Sequence, residues 1–570
     1  MSSSLFRTKK IDSILSERSV DSHGQGLKRV LTARDLTFFG IAAILGAGSF
    51  SSLGSAVFSG GPGVIVLFII TGIACAFTAF CYSDFASRIP VAGSAYTYAY
   101  ASFGELFAWI IGWALIMEYS IGNIYVAYSW SDYFCSFLSK LNVHIPAYLS
   151  TSYREVRDAI AAGTDNKEML SSWNNAPVIA GIRCIVDLPA LIINVLITFL
   201  VYRGVKESRN FSNLMVAIKL GVVLLIILVG GYLVFHLDLT SNWMPSNEKG
   251  VHAFMPNGFS GVMAAVAGVF FAYVGFDAVS VLAEESKNPQ RDLPRGMIYS
   301  LVICTVIYIL LALVLSGAVH YSKFEGVGDP LAFIFEKENL NIGWMQFLVS
   351  ACAVVAMTSV LLVFQMGQPR IWMSMSRDGL FPPIFQKVHP KFNTPSFSTI
   401  VTGFVVGLPL IFTDKSFVLD FTSLATLFAF VLVCGGVLLL PIKPKEPGKF
   451  HLPYVPSRVL FPLIVMVAVW LLIYNVDGYF TGIFAFNEMD TAALTTNISV
   501  AIFWVIVGLL TIGALVKNWS LIPLMGLVTC LYLLTGMTLS NWAWFASWLV
   551  LGLVIYFFYG YRKSKLAVEG

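Results

Sequence analysis

Charge is what this sequence has least of. Only 12% of its 570 residues are Asp, Glu, Lys or Arg, against 57% hydrophobic. A water-soluble enzyme or binding domain cannot cover its surface with so little charge. The net charge of +4 is too small and too scattered for a nucleic-acid footprint. No Cys/His group has metal-ligand spacing, so neither a metal nor a cofactor is implied. There is no nucleophile–base pair and no Gly-rich phosphate loop, which argues against an enzyme. The first 34 residues lack the apolar core of a signal peptide. The two tails are too short for a soluble output domain, which disfavours a membrane sensor or receptor that binds a ligand without moving it.

What the chain does have is apolar length. About fourteen runs are long enough to cross a bilayer. They lie near 36–58, 63–87, 104–135, 178–202, 210–235, 258–284, 297–318, 344–375, 396–413, 418–441, 459–477, 497–516, 520–539 and 542–560. Most of the 36 Lys and Arg fall on one side of these runs. By the positive-inside rule both tails, 1–34 and 561–570, are cytoplasmic, in a plasma membrane or a bacterial inner membrane. Six of the eight cysteines lie inside apolar runs as small buried hydrophobes. Cys135 and Cys184 flank the long external loop, and the sequence leaves open whether they pair.

Two runs are interrupted. The first contains Gly46-Ala47-Gly48-Ser49-Phe50, a poor helix interior. The sixth contains Phe271-Ala272-Tyr273-Val274-Gly275-Phe276-Asp277, where Asp277 is placed to cap a resumed half-helix. Unwound backbone inside a membrane is tolerated where it meets a cavity or ligand, although small residues also serve helix packing. The interruptions are five runs apart and so enter from opposite sides, the layout of two inverted five-helix repeats.

Lys219 is the sharpest single signal. It sits too far from either interface to snorkel, and a lysine there costs at least about 2.5–3.5 kcal/mol. Burial lowers its pKa and an anion raises it, so it is suited to carrying a proton. Counted from the interface end of each run, Gly46, Glu118, Lys219, Gly275 and Ser359 all lie roughly 14–20 Å deep. Glu118 is therefore the expected acidic partner of Lys219, either titrating with it or in a permanent salt bridge.

These residues resemble one family. Leu27-Lys28-Arg29-Val30-Leu31-Thr32, the Gly46-Ala47-Gly48 break, Arg88 to Tyr96, Gly204-Val205-Lys206-Glu207-Ser208, Phe270 to Asp277, Glu284 to Pro289, Gly367-Gln368-Pro369-Arg370 and Trp544 to Gly560 carry the likeness. The chain is similar to the cationic amino acid transporter branch of the amino acid–polyamine–organocation superfamily. That resemblance implies an all-α integral membrane protein. Its LeuT-like core of ten helices would span 35–441, with four further helices at 442–560. It implies a secondary active transporter working by alternating access, with the substrate carboxylate on the N–H groups of Ala47, Gly48 and Ser49. The ammonium would meet carbonyls of Ile44, Phe271, Ala272 and Val274, under Phe271 as a lid. Lys219 matches the residue that replaces a sodium ion in proton-coupled relatives, and Thr358 and Ser359 match the neighbouring hydroxyls.

Ser49 departs from the aliphatic residue usual in the family. With Glu118 assigned to Lys219, no carboxylate is left for a cationic side chain. The expectation is proton-coupled import of small neutral amino acids, with exchange lacking net ion coupling as the alternative. The partners implied are an amino acid, a proton and the lipid bilayer. Nothing in the last four runs decides whether they seat a small single-span membrane partner.

Overall fold

The computed structural model describes residues 7–9, 31–46, 48–89, 94–163, 166–179, 181–204, 209–246, 252–283, 286–392, 394–440, 449–475, 479–483 and 491–568. Ala47, the segment 90–93, Glu284, Glu285 and the expected boundary near 442 lie outside that set.

The chain is almost entirely helical. In order its helices are α1 (Ala33–Ile44), α2 (Leu53–Gly60), α3 (Val64–Arg88), α4 (Ser94–Ser102), α5 (Glu105–Lys140), α6 (Tyr153–Ala161) and α7 (Lys167–Asn175). A two-residue hairpin follows, Val178–Ile179 against Ile182–Arg183, antiparallel with Val178 opposite Arg183. Then come α8 (Leu188–Arg203), α9 (Arg209–His236), α10 (Gly258–Ala264), α11 (Val266–Tyr273), α12 (Pro289–Ala318), α13 (Pro330–Phe333), α14 (Gly343–Arg377), α15 (Ser396–Gly407) and α16 (Lys415–Leu439). The last are α17 (Ser457–Asn475), α18 (Tyr479–Ile483), α19 (Thr491–Lys517), α20 (Leu521–Leu534) and α21 (Leu539–Ile555).

Among the described residues, nine helices are long and apolar enough to cross a membrane, or ten if the bent pair Gly258–Ala264 and Val266–Ser280 is one span. Three shorter apolar helices, Leu188–Arg203, Ser396–Ile411 and Leu521–Leu534, accompany them. One of the nine, Gly48–Arg88, is 41 residues long. That is about 60 Å of helix, twice the hydrocarbon thickness. It reverses at Gly61, whose φ is +58°. Ser52 and Phe68, on either side of the turn, both bond to α11 residues, Gly268 and Tyr273.

The fourth span begins later than the apolar run suggests. The hairpin strands Val178–Ile179 and Ile182–Arg183 come first, and the helix starts at Leu188, where Asp187 accepts the amide of Ala190 at 3.0 Å and Pro189 occupies the first turn. Cys184, beside the hairpin, is a free thiol, so it makes no bridge to Cys135. The core is built around α5, 94% of whose most apolar window is buried, against 11% for α17 and 17% for α19. Those two helices are therefore peripheral and lipid-facing. By contrast α21 is docked on α5: Trp109 and Trp113 donate to the carbonyls of Gly552 and Trp548 at 2.9 and 2.7 Å.

Both expected interruptions are present. α1 ends at Ile44 and the chain resumes as a wide turn over Gly48–Ser52 before α2. α11 ends at Tyr273 and the chain resumes as a tight helix over Phe276–Leu282, after Gly275 at φ +118°. The two breaks touch reciprocally. A methyl group on Gly48 would lie 2.4 Å from the Cα of Ala272, and one on Gly275 would lie 3.0 Å from the carbonyl of Ala43. Each glycine just past one break thus rests on the last turn of the other half-helix. A pseudo-two-fold axis in the membrane plane generates this pattern.

Gly48→Ala and Gly275→Ala should each lower the melting temperature in detergent. Each drives a methyl into backbone that cannot rotate away, an overpacking cost of about 1–3 kcal/mol. Gly221→Ala, with no atom within 4 Å of the new methyl, should leave it unchanged. Equal melting of all three variants would contradict the close crossing.

Candidate functional site

The crossing leaves backbone groups without helical partners, and buried side chains supply them. Leu45, at φ −74° and ψ 74°, forms an inverse γ-turn in which Gly46 N–H donates to Ile44 O at 2.8 Å. The Gly46 carbonyl accepts the amides of Ser49 and Phe50, both at 3.1 Å, and the Ser49 hydroxyl at 2.9 Å. The Ser49 amide, expected to face a carboxylate, is therefore engaged within its own turn. Ala47, its expected co-donor, lies outside the described residues.

Lys219, 2% exposed, donates from Nζ to Ala42 O at 3.4 Å and to Ser359 Oγ at 2.5 Å. It thereby joins α9 to α1 and α14. Thr358 faces elsewhere: its hydroxyl accepts Trp130 Nε1 at 2.9 Å and donates to Val354 O at 2.7 Å. Of the two expected hydroxyls only Ser359 meets the lysine.

Glu118, expected beside Lys219, has other neighbours as well. The Glu118 carboxyl lies beside Thr426 and faces Asp277. Asp277 lies in the first turn of the resumed helix, close to the backbone amides of Gly275 and Ala278. Glu118 and Asp277 are both buried, 3% exposed each.

Phe271, expected as a lid, packs on Tyr125. Its ring meets Tyr125 edge-on with centroids 4.7 Å apart. Beyond this pair lies a cavity of about 730 Å³. Its wall includes Ser51, Tyr125, Asp132, Asp329, Glu336 and Lys415, and it reaches the loop between α5 and α6. Lys415 pairs with Asp132 and lies 5.7 Å from the centroid of the Tyr125 ring. On the opposite face the described ends of the chain are bonded to the bundle. Glu105 accepts from Tyr556 at 3.0 Å and Ser564 at 2.5 Å, and Lys9 bonds Asp378 at 3.0 Å.

The model of the amino acid permease family matches residues 31–512, and that of the permease C-terminus matches residues 521–564. This chain belongs to the amino acid permease family. The branched-chain amino acid permease BcaP of Bacillus subtilis is 39% identical over 488 residues, covering 83% of this chain and 96% of the relative. The methylthioribose transporter of the same organism is also 39% identical, over 84% of this chain and 94% of its own. The vacuolar cationic amino acid transporter 2 of Arabidopsis thaliana is 30% identical over 99% of this chain and 93% of its own. The resemblance to the cationic amino acid transporter branch therefore holds, and with it an all-helical, multi-span, LeuT-like permease. These relatives are named for transport, and this permease is not an enzyme.

Sequence reasoning overlooked Tyr308 of α12, whose hydroxyl reaches Ile44 O and Ala272 O at 2.8 and 2.7 Å. The signal was available. Tyr308 lies roughly 16 Å from the start of its apolar run, level with the other central residues, and a buried tyrosine needs a hydroxyl partner.

At the mouth of the cavity, burial pushes Asp187 and Asp329 up to about 7. An unfolded aspartate titrates near 4. Between these values the folded permease holds protons that the unfolded chain has lost, so stability falls as pH rises through that window. Asp329→Asn should melt higher than the parent at pH 8 and match it at pH 4. A difference independent of pH would contradict the buried acid.

Proposed function

We propose that this permease imports small neutral amino acids by alternating access, coupled to protons through Lys219. The observation that carries the coupling is the Lys219 ammonium resting on Ala42 O and Ser359 Oγ. It stands between the first and eighth spans, bonded to a carbonyl freed by the break in the first. Charged, Lys219 holds α1 to α14. Neutral, it loses a donor and the charge that strengthens both bonds, which frees α1 to move. Glu118 and Asp277 form a second protonatable pair at the same depth.

With both tails inside, the cavity between Tyr125 and the α5–α6 loop opens outward. The substrate would bind beneath Phe271 at the crossing. Its carboxylate would lie on the N–H groups of Ala47, Gly48 and Ser49, once the Ser49 amide exchanges partners. Its ammonium would meet the carbonyls of Ile44, Phe271, Ala272 and Val274. Half-helix termini favour this polarity. The carboxyls of Glu118 and Asp277 are both engaged by protein groups, which leaves a neutral side chain favoured over a cationic one. The relative BcaP is named for branched-chain amino acids, which are neutral.

A thermal-shift screen of the purified permease against the twenty amino acids at two pH values should select neutral aliphatic ones. Arginine outcompeting alanine would overturn that preference. In proteoliposomes, Lys219→Ala should abolish the stimulation of uptake by an inward proton gradient. Unchanged stimulation would remove Lys219 from the coupling, and wild-type counter-transport indifferent to the gradient would favour simple exchange.

A further inference from the structure

Tyr308 has no role in the proposed binding scheme, yet its hydroxyl lies inside it. Its side chain is fully buried, wedged between the rings of Phe68 and Tyr273 at centroid distances of 5.6 and 5.4 Å. Tyr273 is pinned in turn by a 2.8 Å bond from its hydroxyl to Phe68 O. The phenol therefore has no room to swing away. Its oxygen lies 2.8 Å from Ile44 O and 2.7 Å from Ala272 O, with the Ser49 hydroxyl nearby.

Acceptor sites outnumber hydrogens at this point. A phenol carries one hydrogen and two acceptor lone pairs. That hydrogen faces two carbonyl oxygens at once. The Ser49 hydrogen is already on Gly46 O. Ile44 O has the Gly46 amide at 2.8 Å as a second donor, but Ala272 O, next to the end of α11, is an orphan of its helix terminus. Ile44 O, Ala272 O, Tyr308 Oη and Ser49 Oγ thus form a buried oxygen cluster short of donors. The ligand that relieves it carries several N–H groups and positive charge.

We propose that Tyr308 is a substrate-binding residue that recognises the primary ammonium of the amino acid. In the empty site its hydroxyl stands in for that ammonium across the two carbonyls. On binding, it keeps its proton on one carbonyl, cedes the other to the ammonium and accepts an N–H on its own oxygen. The three ammonium hydrogens are then divided among Ile44 O, Tyr308 Oη and a carbonyl of the sixth span. This assignment rests on the crossing being the amino acid site. It adds selection for a primary amine, because an N-methylated amine has one hydrogen too few.

The test uses purified full-length permease in proteoliposomes, with L-leucine and L-alanine and their N-methyl derivatives as probes. Tyr308→Phe should raise KM for the unmethylated amino acids about tenfold, the loss of one charge-assisted hydrogen bond, with Vmax within twofold. N-methyl-L-leucine should compete about tenfold more weakly than L-leucine in the wild type. In Tyr308→Phe that discrimination should largely vanish, because the acceptor for the third hydrogen is gone. A lowered Vmax at unchanged KM, or equal discrimination in both proteins, would make Tyr308 a structural tie and overturn the assignment alone. No saturable wild-type uptake of either amino acid would overturn the site reading and this assignment with it. Should the variant fail to fold, the wild-type ratio decides: equal competition by the N-methyl derivative overturns the proposal, and about tenfold weaker competition supports it.

Discussion

Everything near the centre of this permease depends on two helices crossing with no side chains between them. Gly48 lies on the backbone of Ala272, and Gly275 lies on the backbone of Ala43. Glycine is required at both points, by contact at the first and by contact and a φ of +118° at the second. So close a crossing cannot be made by two intact helices carrying ordinary side chains. The unwinding and the contact are therefore one feature, and each break is held by the other.

Breaking a helix inside a membrane strands polar backbone where water is absent. The chain answers each stranded group with a side chain of matching polarity. Carbonyls left at the end of α1 receive the Lys219 ammonium and the Tyr308 hydroxyl. Amides left at the start of the resumed sixth span lie close to the Asp277 carboxyl. These side chains come from α9, α12 and the sixth span itself. The centre is thus tied to helices that must move relative to one another for a substrate to cross. In the proposed mechanism, changing the proton count or adding an amine would change these ties directly and so reach the whole bundle.

Much of this was legible from residue order alone, for a physical reason. Lipid forbids stray glycines, lysines and carboxylates, so each exception points to the site. The positions of both breaks and the central depth of Lys219 were read that way, whereas the match of Lys219 with Ser359 came from the family resemblance. What depth could not give was azimuth. Glu118 and Lys219 are at similar depth, yet Glu118 faces Asp277 and Thr426. Thr358, adjacent to Ser359, turns toward Trp130. One residue rotates a helix face by about 100°, which depth counting ignores. The fourth span was misplaced because an apolar hairpin imitates the start of a helix, although Asp187 and Pro189 marked the true one. Tyr308 was passed over because tyrosine inside an apolar run reads as packing.

The central claim is that the crossing of the first and sixth spans is where the amino acid sits. A cryo-electron microscopy structure of the permease with saturating L-leucine tests it most directly. The account predicts ligand density bounded by Ile44, Gly48, Ser49, Phe271 and Ala272, its amine within hydrogen-bond distance of Tyr308. Density confined to the outer cavity beside Asp132 and Lys415, with the crossing unchanged and empty, would contradict it.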